Sequence, residues 1–519
     1  MTRYLRKLRP LMAVGLLCVF LLGGCGGGSS PTPLSLGLVG AGSPAAPGGP
    51  VVPGDTPDIE IATRYIKASN TGSQDYFGFS TALSADGNTL AVGAHGEASN
   101  ARGINQPQHD ESAANAGAVY VFVRSGNTWI QQAYIKASNA DRGDAFGYRL
   151  ALSNDGNTLA VGAIGEDSDH INDPGSASAG FAGAVYVFAR TDHRDWHEQA
   201  YLKASDIGTD DMFGSSLAIS GNGNTLVVGA TGEDVDGAPG MKGMSDAGGV
   251  YVFGRTDTTW AEQAHLKPGI RGRDAVFGHS VALSEDGTTL AVGAIGETNR
   301  AGVAYIFRNS GAGWNEQAIL TASNSQDDDR FGYSVALSAD GQTVSVGATG
   351  ESSADPANQH NEDLNFAGAV YVFAHSAGSW SQQAYVKASN PGNNDEFGGS
   401  VAISADGRTM VVGARHEASN ATGINGTQNN DELPYAGAVY AFTRNADGSW
   451  TQRAYVKASN PGENDEFGTS VSLALSAKGI TLVVGAAGES SNATGIDGNQ
   501  DNDSFVGAGA VYVGSITLN

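Results

Sequence analysis

Two series of carboxylates and one series of lysines recur along this chain at fixed positions around a Phe-Gly pair. An aspartate precedes the pair at Asp75, Asp144, Asp211, Asp329, Asp395 and Asp465. A glutamate follows each Val-Gly-Ala segment, at Glu97, Glu166, Glu233, Glu297, Glu351, Glu417 and Glu489. A lysine recurs at Lys67, Lys136, Lys203, Lys267, Lys387 and Lys457. Such carboxylates can bind a divalent cation, or they can pair with the lysines and accept backbone N–H bonds. Because these residues recur in nearly every unit, the structural interpretation is the simpler one.

The loops that follow the glutamates break the symmetry of the repeat. Three of them are related, namely EASNARGINQPQHDE from Glu97, EASNATGINGTQNNDE from Glu417 and ESSNATGIDGNQDNDS from Glu489. Oxygen-rich loops of this length can wrap Ca²⁺, and they can equally form Asx turns that satisfy their own backbone, so both interpretations stay open. The candidate metal ligands are Glu97, Asn100, Asn105, Glu417, Asn420, Asn425, Asp431, Glu489, Asn492, Asp497 and Asp503. The rim carboxylates beside them are Asp75, Asp144, Asp211, Asp395 and Asp465.

The stretch FGFSTALSADGNTLAVGAHGE from Phe77 is the unit that positions these side chains. It returns at Phe146, Phe213, Phe277, Phe331, Phe397 and Phe467. Each unit contains four runs with strand character, which in the first unit are Phe79–Leu83, Thr89–Gly93, Ala118–Phe122 and Trp129–Lys136. Asp-Gly between the first two runs predicts a hairpin, and the aromatic and β-branched content predicts strands. One such sheet cannot bury both faces, so the pattern predicts four-stranded antiparallel blades stacked in a ring.

The count of fourth strands predicts how the ring closes. A tryptophan opens the fourth run six times, at Trp129, Trp196, Trp260, Trp314, Trp380 and Trp450, although there are seven Phe-Gly units. The last unit ends without a fourth run, whereas residues 64–70 match residues 133–139 and precede the first Phe-Gly pair. We therefore expect the N-terminal strand to pair into the last blade, because an unpaired edge would otherwise remain.

The order Phe-Gly, Asp-Gly turn, Val-Gly-Ala and Gly-Ala-Val-Tyr-Val-Phe resembles the FG-GAP repeat of integrin α-subunit propellers and of bacterial proteins that share it. The resemblance covers residues 59–519 and implies an all-β, seven-bladed propeller whose ligand-facing surface is the rim carrying the glutamates. Calcium-binding members use a DxDxDGxxD loop between the first two strands, but the matching Ser84-Ala85-Asp86-Gly87 has one carboxylate. Asp86 and its counterparts Asp155, Asp286, Asp340 and Asp406 are therefore predicted to be turn residues.

The N-terminus has the pattern of a secretory signal followed by a linker. Basic residues precede the apolar run Leu11 to Leu22, and Leu22-Gly23-Gly24-Cys25 resembles the lipobox of bacterial lipoproteins. The resemblance implies a signal peptide over 1–24 and acylation of Cys25; an ordinary cleaved signal is the alternative. Residues 25–58 are rich in Gly, Ser, Pro and Ala, which predicts a flexible tether before the propeller over 59–519.

Charge and motif content limit the function. The formal net charge of -25 opposes binding to nucleic acid, and the only membrane attachment expected is the lipid. No HExxH, GxSxG, P-loop or CxxC motif is present, so no motif supports catalysis. We expect a lipid-anchored binding module of the bacterial outer membrane or cell surface that engages a protein or glycan at its acidic rim, with Ca²⁺ as a candidate cofactor. The alternatives are a hydrolase or lyase with a site built from loops, and a purely structural envelope scaffold.

Overall fold

The computed structural model describes residues 64–126, 128–170, 176, 178–234, 246–268, 274–355, 358–476 and 479–516. All of them belong to one compact unit, Asp55–Asn519. The predicted signal peptide, Cys25, the tether over 25–58 and the first residues of the predicted propeller lie outside the described residues. Within the described part of the chain, no helix has the length and apolar character needed to cross a membrane.

The described chain forms seven four-stranded antiparallel sheets, which confirms the predicted all-β propeller. The first strands of the sheets are β2 (Ser80–Leu83), β6 (Phe146–Leu152), β10 (Phe213–Ile219), β14 (Phe277–Leu283), β18 (Phe331–Leu337), β22 (Ser400–Ile403) and β26 (Phe467–Ser476). The second strands are β3 (Thr89–Ala94), β7 (Thr158–Ala163), β11 (Thr225–Ala230), β15 (Thr289–Ala294), β19 (Thr343–Ala348), β23 (Thr409–Ala414) and β27 (Gly479–Ala486).

The outer half of each sheet consists of the third and fourth strands. The third strands are β4 (Ala118–Ser125), β8 (Ala184–Thr191), β12 (Gly249–Thr256), β16 (Val303–Asn309), β20 (Ala369–Ser376), β24 (Ala438–Arg444) and β28 (Ala510–Ile516). The fourth strands are β5 (Thr128–Ile135), β9 (Asp195–Leu202), β13 (Thr259–Leu266), β17 (Trp314–Leu320), β21 (Ser379–Val386), β25 (Trp450–Val456) and β1 (Arg64–Ile66). We number the sheets as blades one to seven in the order of their first strands, β2 to β26.

The first strands line the axis of the ring. β2 contacts β6, β6 contacts β10, and so on to β26, which contacts β2 again. The hydrophobic core lies between neighbouring blades: Phe146 and Leu159 of blade two share one cluster with Val121 and Ile135 of blade one. Apolar burial between blades therefore supplies the second face that a single sheet lacks.

The ring closes through the N-terminal strand, as the strand count predicted. β1 pairs antiparallel with β28, with Tyr65 opposite Tyr512 and Ile66 opposite Val511. The fourth strand of blade seven thus comes from the beginning of the chain and the other three strands come from its end.

The recurring Phe-Gly and Asp-Gly pairs have structural roles. Phe77 is fully buried, and Gly78 has φ +94°, where a Cβ atom would approach the Ala510 carbonyl oxygen to 2.4 Å. Only glycine fits that close approach of two blades. In the hairpin turn, Asp86 Oδ1 accepts hydrogen bonds from Ser84 Oγ at 2.5 Å and Asn88 N at 3.0 Å, as expected of a turn residue.

The described chain contains one short helical segment, α1 (Glu297–Arg300), between β15 and β16. Thr298, Asn299 and Arg300 have φ values of 54°, 58° and 65°, so the segment is a left-handed turn. It replaces the long loop of the other blades in blade four.

Candidate functional site

The recurring glutamates lie in a buried charge network at one rim of the ring. In blade six, Glu417 Oε2 contacts Lys457 Nζ at 2.8 Å, and Glu417 Oε1 accepts a hydrogen bond from Tyr455 at 3.0 Å. The lysine side chain is 0% exposed and the glutamate side chain 2% exposed. The equivalent Lys–Glu distances are 2.7 Å for Lys136–Glu97, 2.7 Å for Lys203–Glu166, 2.8 Å for Lys387–Glu351 and 2.6 Å for Lys67–Glu489. Lys267 pairs with Glu233 in blade three.

An asparagine ties each of five networks to the preceding blade. Asn390, which follows the fourth strand of blade five, donates from Nδ2 to Glu417 Oε1 at 2.9 Å and accepts from Tyr440 OH at 2.8 Å. Burial lowers the pKa of Lys457, and the negative charge of Glu417 opposes that shift. Ser419 Oγ also donates to Glu417 Oε2, at 3.3 Å, so the glutamate is engaged by four donors, as a buried carboxylate requires.

The recurring aspartates are buried beside these pairs. Asp395 Oδ2 accepts a hydrogen bond from Gly392 N at 2.7 Å, and Asp75 Oδ2 accepts one from Gly72 N at 2.7 Å. Burial, followed by the negative charge of the neighbouring Glu417, raises the pKa of Asp395 to about 7. The pKa is likewise raised to about 7, mainly by burial, at Asp75, Asp144, Asp211, Asp329 and Asp465.

Three of the candidate metal ligands clamp the related loops onto fourth strands. Asn105 Oδ1 accepts from the Tyr134 N–H at 2.9 Å, and its own N–H donates to the Tyr134 carbonyl at 2.8 Å. Asn425 makes the same two bonds with Tyr455, at 3.0 Å to its side-chain oxygen and 2.8 Å from its N–H. Asp497 makes them with Tyr65, at 3.3 Å and 2.8 Å in the same order. Their φ values of 54°, 51° and 54° lie in the left-handed region, which Asn and Asp tolerate best after glycine.

The remaining candidate ligands lie in solvent. The exposed residues of this set are Asn100, Asn420, Asn492, Asp431 and Asp503. Asn420 N–H donates to Asn430 Oδ1 at 3.0 Å, and the Asn492 N–H donates to the Asn502 carbonyl at 3.1 Å. Over the described ranges, no group of three or more His, Cys, Asp or Glu side chains is arranged to hold a metal ion. Calcium binding by these loops stays a prediction.

In blade four, the recurring glutamate lacks the lysine and the fourth-strand tyrosine that bind it in other blades. Thr321 stands where the other blades have lysine, and Ile319 stands where five blades have tyrosine. Glu297 is only 4% exposed, and its Oε1 atom has no hydrogen-bond partner within the described residues. Burial raises the pKa of Glu297, opposed by a hydrogen bond from Tyr305.

The structure also reveals a group of side chains at the axis that the sequence analysis missed. We call it the axial cluster; it comprises Tyr76, Phe79, His95, Tyr148 and Arg149. Tyr76 stacks on His95 with ring centroids 5.1 Å apart, and Phe79 lies 4.4 Å from His95 and 5.2 Å from Tyr148. Tyr76, Phe79, His95 and Tyr148 occupy positions next to Phe-Gly or just after Val-Gly-Ala, where residue type changes from blade to blade, and Arg149 replaces a serine that the other six blades share. A change of residue type at a fixed position of an otherwise constant repeat was the signal in the sequence that could have identified this cluster.

A second charged group lies at equivalent axial positions of blades six and seven. Arg415 donates from Nε at 3.0 Å and from Nη2 at 2.7 Å to Glu396 Oε2. Burial alone raises the pKa of Glu396, but Arg415 and then His416 outweigh burial and hold it below its ordinary value. Burial raises the pKa of the neighbouring Glu466. This arginine is therefore neutralised by a carboxylate from its own blade.

The geometry defines a seven-bladed β-propeller with one rim of buried ion pairs and a side-chain cluster at its axis. A family model described as FG-GAP repeat matches residues 63–122, 129–188, 196–253, 260–307, 314–373, 380–442 and 450–514. The chain belongs to this FG-GAP repeat family.

Other comparisons add no functional assignment. A search of curated proteins found no match. Among solved structures, "Kuenenia stuttgartiensis Hydrazine Synthase" is similar over 73% of this chain and 78% of that one, with 14% identity and a TM-score of 0.42. "Crystal structure of RRP9 WD40 repeats" is similar over 88% of this chain and 100% of that one, with 10% identity and a TM-score of 0.48.

Proposed function

We propose that this FG-GAP propeller is a binding module of the bacterial envelope, anchored through acylated Cys25, whose ligand-facing surface is formed by the loops of blades six, seven and one. The observation that carries the proposal is that these three loops share one backbone clamp and are neighbours across the ring closure. A platform of three equivalent loops is typical of recognition surfaces carried on a rigid scaffold.

The clamp is supported by further contacts. Each loop adds an antiparallel bridge to the fourth strand of its blade, pairing Ile104 with Ile135, Ile424 with Val456 and Ile496 with Ile66. A glutamine in each loop also accepts a hydrogen bond from a serine of the preceding blade. These bonds are Ser69–Gln108 at 2.7 Å, Ser389–Gln428 at 2.7 Å and Ser459–Gln500 at 2.9 Å. Loops held in this way lose little conformational entropy when a partner binds.

The tips of the loops determine the chemistry of the partner. Asp110, Glu111, Asp431, Asp501 and Asp503 are exposed there, among amide side chains. Carboxylates and amides suit the hydroxyl groups of a glycan or a basic protein surface, and Ca²⁺ can bridge such oxygens to a glycan. The recurring glutamates do not take part, because lysines already neutralise them in six blades.

A loop exchange tests this proposal. Replacing residues 418–436 of blade six by the four-residue segment 298–301 of blade four removes one loop of the platform. We expect this variant to bind a glycan array more weakly than the wild-type protein, or not at all. Binding is measured once in millimolar Ca²⁺ and once with a chelator. The matched control shortens residues 167–182 of blade two, which carry an unrelated loop, and should retain binding. Equal binding by both variants, each with a wild-type melting temperature, would favour the scaffold alternative.

A further inference from the structure

One residue breaks an otherwise uniform set of bonds between neighbouring blades. In six blades, the serine three residues after the recurring Phe donates from Oγ to a glycine carbonyl of the next blade. The distance is 2.8 Å for Ser80–Gly147, Ser280–Gly332 and Ser470–Gly78. It is 2.7 Å for Ser216–Gly278, Ser334–Gly398 and Ser400–Gly468. Blade two has Arg149 at this position. Between blades two and three, the ring therefore lacks this serine hydrogen bond and has a guanidinium group in its place.

The guanidinium of Arg149 lies against two aromatic rings of the axial cluster. Its Cζ atom is 5.1 Å from the Phe79 ring centroid and 4.8 Å from that of Tyr148. Nη1 donates to the Tyr148 carbonyl at 3.0 Å, which leaves most of the five N–H donors for other partners. All three side chains are half-buried.

Arg149 has no carboxylate partner in the described part of the chain, although the protein has a net charge of -25. The axial carboxylate Glu396 is bound to Arg415. Arg330 stacks on Phe366 at 4.9 Å and likewise forms no ion pair among the described residues, although its charge also acts on Glu396. Arg149 and Arg330 are thus two arginines near the axis without an ion-pair partner in the described part of the chain. Unneutralised arginines in an acidic protein favour binding of an anion.

Histidines near these arginines are kept neutral. Burial, followed by the charges of Arg149 and Arg330, lowers the pKa of His279 to about 3. His279 belongs to blade four and Arg149 to blade two, so the charge of Arg149 acts on a residue of a blade that is not its neighbour. Burial and then Arg149 lower the pKa of His95 to about 4, and the buried His95 Nδ1 atom has no hydrogen-bond partner in the described structure. A neutral imidazole can donate an N–H bond to an anion.

We propose that the axial cluster binds the carboxylate group of a small organic acid with an apolar, planar body. Arg149 holds the carboxylate through paired N–H donors, and Phe79 and Tyr148 cover the body of the ligand. Arg149, Phe79 and Tyr148 lie outside the loops of blades six, seven and one, although the Tyr76 N–H donates to the Gly507 carbonyl of the blade-seven loop at 2.9 Å. The loop exchange in blade six and the substitution of Arg149 therefore test the two proposals separately.

Calorimetric titration of the full chain with sodium benzoate tests the site. We expect saturable binding by the wild-type protein, and a loss of affinity of about tenfold or more in Arg149→Ser, because charge-assisted hydrogen bonds to the carboxylate are removed. Arg149→Ser restores the residue found in the other blades and allows a bond to the Gly214 carbonyl, so its melting temperature should equal or exceed that of the wild type. Arg124→Ser, which removes an arginine from the far end of β4, should leave the affinity unchanged.

Two further ligands define the chemistry of the site. Benzyl alcohol has the ring without the charge and should bind much more weakly than benzoate; inorganic phosphate has the charge without the ring and should also bind more weakly. No benzoate binding by the wild-type chain, or equal affinity in Arg149→Ser, would overturn the proposal. Phosphate binding that is tighter than benzoate binding would equally overturn the assignment to an organic acid.

Discussion

Blades six and four place the same glutamate in different surroundings. Glu417 of blade six is neutralised by Lys457 and receives hydrogen bonds from Tyr455 and Asn390. Glu297 of blade four is equally buried, has no lysine partner and has an unpartnered Oε1 atom. The difference shows that the glutamate is retained as part of the packed rim even where its charge is not balanced. A recurring carboxylate in a repeat protein is thus first a structural residue.

The largest effect is expected when blade six is made to resemble blade four. Lys457→Met keeps the length of the side chain but leaves Glu417 buried without a counter-charge. We expect a loss of about 3 kcal/mol in the free energy of unfolding, measured by urea denaturation near pH 8, since breaking a buried pair strands its partner. Arg408→Met changes an exposed residue of the same blade and should cost less than about 0.5 kcal/mol. Similar losses in both variants would show that the pair contributes nothing specific.

A second effect concerns the aspartates beside the ion pairs. Asp395 faces Glu417, Asp431 and Lys387, and its folded-state pKa of about 7 lies above the ordinary unfolded value. The folded protein then binds more protons than the unfolded chain between about pH 4 and pH 7, so stability falls as pH rises through that interval.

Asp395→Asn keeps a side-chain oxygen for the Gly392 N–H and removes the titration. Between pH 5 and pH 8 the wild type should lose more unfolding free energy than the variant, by about 1 kcal/mol or more. Blade four has Ala275 at this position, so it offers no such aspartate. Identical pH profiles for both proteins, measured by urea denaturation, would contradict a raised pKa at Asp395.

The smallest effect is expected when blade four is made to resemble blade six. Thr321→Lys supplies the missing cation at the end of β17, and we expect a gain of about 1 kcal/mol in unfolding free energy at pH 7. Burial raises the folded-state pKa of Glu297, so the wild type loses stability from this group as pH rises. The gain should therefore shrink below pH 4, where Glu297 is protonated in both states.

Asn315→Lys adds the same charge at an exposed position of β17 and serves as the control for Thr321→Lys. It should change stability by less than about 0.5 kcal/mol. If both lysines stabilise equally, the gain reflects the net charge of the protein and not the pairing with Glu297.

Local sequence patterns were sufficient to predict the fold. Alternating apolar residues and the Asp-Gly turn define each hairpin, and the unmatched fourth strand defines the closure by Arg64–Ile66. The prediction that lysines pair with the rim glutamates also followed from antiparallel strand order, because pairing brings the strand ends to one edge. Asn105, Asn425 and Asp497 could be identified as shared positions, but their clamp on a fourth strand could not be distinguished from metal ligation.

The amino-acid sequence by itself determined the repeat, the number of blades and the way the ring closes, because these depend on periodicity and on contacts between adjacent strands. Only the tertiary structure decided which carboxylates are buried and which side chains meet at the axis. Arg149 and His279 belong to blades that are not neighbours, and their interaction exists because the ring brings them together. No spacing along the chain encodes that electrostatic effect, since it depends on the curvature of the whole propeller.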